Sequence, residues 1–424
     1  MRNILDKIFS RSNNLDYISS NIQKITNSTP VKKIFNAINS YSSKSEVRYV
    51  GGCLRKVINQ EQVDDIDLAT NLEPNKVCEA LQQKKIAFFE TGIEHGTITA
   101  VIDKYKFEIT SLREDISTDG RHAQVKFSDD WKEDSLRRDF SINSIYSDCY
   151  GNLFDPHNGI EDLKNGDINF IGNVDKRIKE DYLRILRYVR FFLGYSKKPH
   201  NSQILKRLKI NIGGVLKLSK ERLLEELKKI TDLEKLEKLN KDKSSLELIS
   251  LIFPELKNLN VFSKLNSFQK EILKKNDFIF LLSLMIIDDK DNADYFLYKF
   301  NLSKKNQKRI KMIDNFYKQK VNSKTFTELN LNKIFYYNSL EAVIDILNFR
   351  VIRSKKFDKK ILELIKLYQN KSIPLMPIDA DLLMTKYKIP QGKMLGVKLK
   401  KIEEQWVNNN FVISSSEIET IVKN

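Results

Sequence analysis

Asp65 and Asp67 stand two residues apart in Asp64-Asp65-Ile66-Asp67-Leu68-Ala69-Thr70, and upstream the chain reads Val47-Arg48-Tyr49-Val50-Gly51-Gly52-Cys53-Leu54-Arg55, with Gly51 fourteen residues before Asp65. On a strand, side chains two apart share a face, so Asp65 and Asp67 would present oxygen ligands side by side. Such hard oxygens suit a divalent cation that carries substrate phosphates. The glycine pair lets backbone N–H groups approach a phosphate, because no Cβ stands in the way. Together the two features supply what metal-assisted nucleotidyl transfer needs. Each half alone has a plainer reading, the glycines as a turn and the aspartates as a solvated loop or a helix cap. Their order and the strand pattern around them favour the chemistry.

The elements that would position these groups follow from hydrophobic period. Residues 1–30 are polar and weakly patterned, and read as a helix with a loose lead-in. From 31 to 155 the pattern alternates: Val47–Val50, Ile66–Thr70, Thr97–Ile102, Lys106–Leu112 and Gln124–Phe127 read as strands. Pro74 to Gln83 reads as a helix with proline in its first turn. After Asp155 strand-like alternation stops and helical spacing runs to the end. The fold expected is α+β, a mixed-sheet α/β head followed by an all-helical remainder. Asp181, Arg184 and Arg187 fall at spacing three, which would place them on one face of one helix. Arg113 to Asp130, including Thr118-Asp119-Gly120-Arg121-His122, reads as a polar loop.

The chain has 424 residues with 41% hydrophobic content, enough for two to four domains with real cores. Three scattered cysteines, Cys53, Cys78 and Cys149, argue against a disulfide framework and fit a reducing cytoplasm. The N-terminus carries charges throughout and lacks a signal-peptide core, and the longest apolar run, Phe278 to Ile287, is too short to span a bilayer and reads as a buried helix. Of the net charge of +17, about +1 lies in residues 1–200, +4 in 201–300 and +12 in 301–424. An excess so placed suits a polyanion such as RNA; biased composition alone is the plainer alternative. His95, His122, His157 and His200 are isolated, and none is assigned to a metal.

A series of motifs over residues 47–230 resembles the class II nucleotidyltransferases, the bacterial tRNA CCA-adding enzymes and poly(A) polymerases. Gly51-Gly52-x-Leu54-Arg55 with Asp65-x-Asp67 is similar to the family's first motif. Lys106-Phe107-Glu108-Ile109-Thr110-Ser111-Leu112-Arg113 is similar to the strand carrying a third carboxylate. Arg137-Arg138-Asp139-Phe140-Ser141-Ile142-Asn143 resembles the motif that contacts sugar and phosphates. Asp155-Pro156-His157-Asn158-Gly159-Ile160-Glu161-Asp162 resembles the head-to-neck hinge, Arg177 to Arg187 the base-selecting motif, and Ser219 to Leu227 the last neck motif. Lys56 departs from the pattern, since many members carry an acidic residue there. The segment from Gly392 to Trp406 is a weaker match to the tail.

The resemblance implies a head over 31–155 after a lead-in at 1–30, a neck over 156–230 that selects the base, a helical body over 231–340 and a basic, tRNA-binding tail over 341–424. It implies catalysis by Asp65, Asp67 and Glu108, with Asp65 and Asp67 holding Mg2+ in a two-metal site. CTP and ATP would be the substrates, and tRNA the partner. Gly51, Gly52, Arg55, Arg138, Asp139, Asn143, Asp181, Arg184 and Arg187 would bind the nucleotide. Asp155, Gly159 and Asp162 would form the hinge, and Glu221 and Arg222 would support the neck. Physically, Arg138 can grip phosphate oxygens in a fork, Asp139 can accept from ribose hydroxyls, and Asn143 can donate to either. The competing reading of that run is a salt-bridged helix start with Asp139 as N-cap. Asp181 can accept from an exocyclic amine while Arg184 donates to a ring nitrogen, a pattern that cytosine and adenine share. Its competitor is an ordinary Asp181–Arg184 ion pair one helical turn apart. The activity implied is template-independent CCA addition to tRNA. The alternatives are a poly(A) polymerase or an enzyme adding only A, and, from another class, an inactive RNA-binding protein on the same fold. A cytoplasmic, membrane-free protein is expected, as monomer or homodimer.

Overall fold

In this computed structural model, which describes residues 2–118, 123–288, 290–319, 325–354 and 358–423, the N-terminus is one long helix, α1 (Arg2–Ser28), rather than a helix with a loose lead-in. Its Ile18 and Ile22 are buried one turn apart, which anchors it to the head. Helix α2 (Val31–Asn39) buries Val31, Ile34, Phe35 and Ile38, the spacing of a single apolar stripe.

The head follows as β1 (Val47–Val50), α3 (Gly52–Ile58), β2 (Asp67–Thr70), α4 (Pro74–Gln83), β3 (Ala87–Gly92), β4 (Thr97–Ile102), β5 (Tyr105–Ser111), β6 (Arg113–Thr118), β7 (Ala123–Phe127), α5 (Trp131–Arg137), β8 (Tyr146–Ser147) and β9 (Leu153–Phe154). Seven strands form one sheet in the order β3-β4-β5-β2-β1-β8-β9. β2 and β5 run parallel while β1 pairs antiparallel with β2 and with β8, so the sheet is mixed. Strand alternation gives it two faces. Tyr49, Leu68, Ile98, Phe107 and Ile109 join α2 and α4 in the larger core. Val50, Ala69, Leu112 and Tyr146 make a second, smaller one on the other face. Asp67 and Glu108 alternate with Leu68 and Ile109, which puts both carboxylates on the face of this smaller core.

Two sequence expectations need correction here. β2 starts at Asp67, where pairing with β5 begins, so Asp65 precedes the strand instead of lying on it. The segment expected as a polar loop contains a β6–β7 hairpin with its own two-stranded sheet; its charged residues pair through backbone and carry no apolar alternation, while residues 119–122 lie outside those described. The reading also missed β3, an edge strand exposed along most of its length, and the two-residue β8 and β9, too short to show a period.

Helices α6 (Gly159–Asn165), α7 (Val174–Glu180), α8 (Leu183–Tyr195), α9 (Ser202–Asn211) and α10 (Lys220–Ile230), with most of the later helix Lys243–Ile252, complete the first unit. That unit comprises residues 1–230 with 244–252, and a second comprises 231–243 with 253–424. Every described element of the second unit is helical. Its helix Phe278–Ile286 is buried from Ile279 to Ile286, as the apolar run implied. No helix among the described residues is long and apolar enough to cross a membrane.

Candidate active site

Gly51 makes the turn from β1 into α3 at φ 71° and ψ −119°, a conformation that side chains resist. A Cβ on Gly52 would stand 3.8 Å from an Asp67 carboxylate oxygen and 3.9 Å from Arg55 Nη2. Gly52 therefore exposes bare backbone between an acid and a base. In the β2–β5 register Asp67 lies directly beside Glu108. Burial, then the negative charges of Glu108 and Asp65, raise the Asp67 pKa above the ordinary carboxylate value, against the pull of Arg138 and Arg55. That mutual repulsion is what a divalent cation would relieve, so the acidic side chains fit one. Among the described residues, however, no three His, Cys, Asp or Glu side chains gather closely enough to hold a metal ion. Asp65, Asp67 and Glu108 are the side chains that could contribute oxygens; Asp67 is partly buried while Asp65 and Glu108 are both exposed, and substrate phosphates would have to complete the coordination.

A relay of side chains runs inward from Arg55. Its guanidinium donates to Asn143 Oδ1 and lies 4.7 Å from the Phe191 ring centre and 5.2 Å from that of Tyr195. Asn143 Nδ2 donates to Asp139 Oδ1 at 2.8 Å, and Arg187 Nε donates to Asp139 Oδ2 at 2.6 Å. Burial raises the Asp139 pKa, but Arg187, Asn143 and Arg184 outweigh it and hold the group well below the usual carboxylate range. The competing N-cap reading fails, because α5 ends at Arg137 instead of starting near Asp139. Arg138 is fixed by Asp134, at 3.0 Å from Nη2, and by Tyr146 OH at 2.8 Å. Asp134 is wholly buried; burial raises its pKa, yet Arg138, Arg137 and Tyr146 bring it down to about 2.

Asp181, Arg184 and Arg187 do not share one helix. Asp181 sits in extended backbone between α7 and α8, and its carboxylate accepts from Leu183 N at 3.1 Å and from Arg222 Nη2 at 2.8 Å. Arg184 instead pairs with Glu180 at 2.8 Å and donates to the Arg177 carbonyl. The competing reading, an Asp181–Arg184 ion pair, is thus replaced by two separate ion pairs, which leaves each residue held by a third party.

One cavity of about 440 Å³ joins most of these groups. Gly51, Gly52, Arg55, Asp67, Arg138, Asp139, Asn143, Asp181, Arg184, Arg187 and Arg222 all line it. Seven arginines against three aspartates on its wall make it attractive to a polyphosphate. Asp65, Glu108 and Glu221 do not line it. Nor do the hinge residues: Asp155 instead caps α6 by accepting from Gly159 N and Ile160 N at 2.8 and 2.9 Å. Asp162 accepts from Ser141 and Asn169. A Cβ on Gly159 would collide with the Ser141 carbonyl, so this position demands glycine. Lys56, the departure from the family pattern, pairs with Asp64 at 2.8 Å.

Sequence reasoning missed Arg137, Arg190 and Phe191 on the cavity wall. It also missed Asp134, Tyr146 and the buried Glu226 that holds Arg190. Only the repeated arginine spacing through Arg184, Arg187 and Arg190 could have pointed to one of them.

Known proteins resemble this chain in both its head and its C-terminal part. Residues 47–169 match the poly A polymerase head domain, and residues 271–422 match tRNA nucleotidyltransferase domain 2. The human protein named CCA tRNA nucleotidyltransferase 1, mitochondrial, is 33% identical over 89% of this chain and 86% of its own. A CCA-adding enzyme of Streptococcus uberis is 27% identical over 89% and 92%. Among solved structures, the Bacillus stearothermophilus CCA-adding enzyme in complex with CTP superposes with a TM-score of 0.69 at 20% identity, over 93% of this chain and 97% of that one. The Thermotoga maritima CCA-adding enzyme complexed with tRNA gives 0.59 at 19%, over 95% and 98%.

Proposed function

The chain belongs to the CCA tRNA nucleotidyltransferase family, and we infer that it is an enzyme that adds CCA to tRNA 3′ ends, taking CTP and ATP as substrates. The observation that carries this reading is the single cavity that brings the Gly51–Gly52 turn, Asp67 and Asp181 together within a wall of arginines. In the reaction the terminal 3′-oxygen bonds to the α-phosphorus of the nucleotide and pyrophosphate leaves. Arg55 and Arg138 bind the triphosphate, with Gly51 and Gly52 offering backbone N–H groups. Asp139 and Asn143 orient the ribose. Asp181 accepts from the exocyclic amine of cytosine or adenine while Arg184 donates to the ring nitrogen, so uracil and guanine present the wrong polarity. Asp65 and Asp67 hold Mg2+, with Glu108 the third carboxylate at hand once phosphates are in place. Bound there, Mg2+ lowers the pKa of the attacking hydroxyl and offsets charge on the leaving oxygens.

The RNA partner would be held partly by the second unit. A groove of about 690 Å³ between its helices Lys304–Lys318 and Glu328–Tyr337 is lined by Lys304, Lys308, Lys311 and Lys333, with no carboxylate among the described lining residues. Such a surface suits a phosphodiester backbone without reading its sequence. It lies within residues 231–340, so the RNA track extends beyond the basic tail at 341–424. Three free cysteines fit a reducing compartment, which we take to be the cytoplasm; the mitochondrial name of the human relative makes cell fractionation the deciding observation.

Calorimetric titration of the protein with each nucleotide in Mg2+ tests the reading of the cavity. CTP and ATP should compete for one site, with UTP and GTP at least about tenfold weaker. Equal binding of all four, or independent sites for CTP and ATP, would overturn it.

A further inference from the structure

Tyr182 separates Asp181 from α8, and its ring lies hard against backbone. A Cβ at Gly214 would fall 1.9 Å from Tyr182 Cε1, 2.1 Å from Cδ1 and 2.3 Å from Cζ. No side chain, not even a methyl group, fits there unless the ring moves. Gly214 lies in the 3-10 turn Ile212–Lys217, and Lys217 Nζ from the same turn stands 5.9 Å from the centre of the ring. Gly213, one residue earlier, has nothing within 4 Å of its would-be Cβ. The demand for glycine is therefore specific to position 214 and is not a general property of the turn.

What the ring controls is its neighbour. Asp181 is extended at φ −153° and ψ 105°, Tyr182 turns the chain into α8 at φ −62° and ψ −15°, and the Asp181 carbonyl accepts from Arg184 N at 3.1 Å. A methyl group at 214 would push the half-buried, planar Tyr182 ring as a rigid unit, and part of that push passes through its Cα to the backbone that aims Asp181 and Arg184. We propose that Gly214 is a positioning residue for base selection: its bare backbone seats the Tyr182 ring, and the seated ring sets the Asp181 carboxylate. This rests on the reading of Asp181 as the group that accepts from the base.

The test compares Gly213→Ala, Gly214→Ala, Tyr182→Ala and the double variant Gly214→Ala/Tyr182→Ala. KM for CTP is measured on tRNA ending at the discriminator base and KM for ATP on tRNA ending in CC, with UTP and GTP incorporation scored beside them. Gly213→Ala should match the wild type. Gly214→Ala should raise both nucleotide KM values by on the order of tenfold or more and relax selection, with KM for tRNA unmoved. The double variant should return to the level of Tyr182→Ala, because the clash has lost its partner. Should Gly214→Ala not fold by circular dichroism, Tyr182→Ala alone carries the test, with a raised nucleotide KM and relaxed selection expected. The proposal is overturned if Gly214→Ala behaves as Gly213→Ala, if the double variant is more impaired than Tyr182→Ala alone, or if Tyr182→Ala keeps wild-type KM and selection. Asp181→Ala separates the two levels: full selection in that variant would sink the reading of Asp181 itself, whatever the seat does.

Discussion

Asp181 takes its ion pair from Arg222 on α10, 2.8 Å away, while Arg184, one turn along the chain, pairs with Glu180 at the same distance. The two groups read as a base template are thus aimed by separate partners. Arg222→Ala removes the guanidinium from Asp181 and leaves its carboxylate held by Leu183 N. Nucleotide KM should rise about tenfold and misincorporation of UTP should appear, while Arg222→Lys, which keeps the charge but loses the fork, should fall between. Steady-state kinetics with each nucleotide check this.

Asp67 and Glu108 are neighbours in register but differ in surroundings, one partly buried and one exposed. Asp67→Ala should lower single-turnover addition by at least about a thousandfold, with tRNA still bound. Glu108→Ala should cost less, on the order of ten- to a hundredfold. Equal losses would mean that Glu108 is held as tightly as Asp67.

The wholly buried Asp134 holds Arg137 and Arg138. Its pKa falls from 3.8 to about 2 on folding, so its stabilisation is complete above pH 4 and is lost as pH falls through about 2. The shift corresponds to about 2 kcal/mol. Asp134→Asn should remove that acid-limb dependence and destabilise the head by about 3 kcal/mol, because two arginines are left without a carboxylate. Denaturant unfolding followed from pH 7 to pH 2 measures both effects.

Gly51 holds a positive φ on the wall of the cavity. Gly51→Ala should cost about 1–3 kcal/mol of stability and raise KM for CTP and ATP alike, without changing which base is chosen. A changed preference would place Gly51 near the base instead of the phosphates.

Replacing Lys304, Lys308 and Lys333 together with glutamine should weaken tRNA binding without altering nucleotide KM. Each lysine that neutralises a phosphate steepens the salt dependence by about 0.7–0.9. The plot of log affinity against log salt should therefore flatten by about 2 for the triple variant. An unchanged slope would remove this groove from the RNA track.

Groups that are close in sequence are legible from residue type and spacing alone. The Gly51–Gly52 turn, the Asp65-x-Asp67 pair and the run from Arg137 to Asn143 carry their chemistry within a few residues, and the cavity contains members of all three. The mixed sheet is legible wherever a strand buries alternate residues, as β4 does. It is not legible in β3, which is exposed on both sides of its alternation. Pairing across the chain is hidden too: spacing puts Asp181 with Arg184, whereas the fold brings in Arg222 from 41 residues away. Glu226, which holds Arg190, and Tyr146, which holds Arg138, carry no local signal either. Residue types in a motif state what chemistry is available; only tertiary packing states which partner aims each group.

The most direct test of the central claim uses the purified protein with Mg2+ and transcripts of one tRNA ending at the discriminator base, at C, or at CC. Each is given CTP, ATP or both, and product length is read at single-nucleotide resolution. Addition of C, C and A followed by a stop is the result expected. Long adenosine tails on any RNA, growth by A alone on the CC-ending transcript only, or binding with no extension would each contradict it.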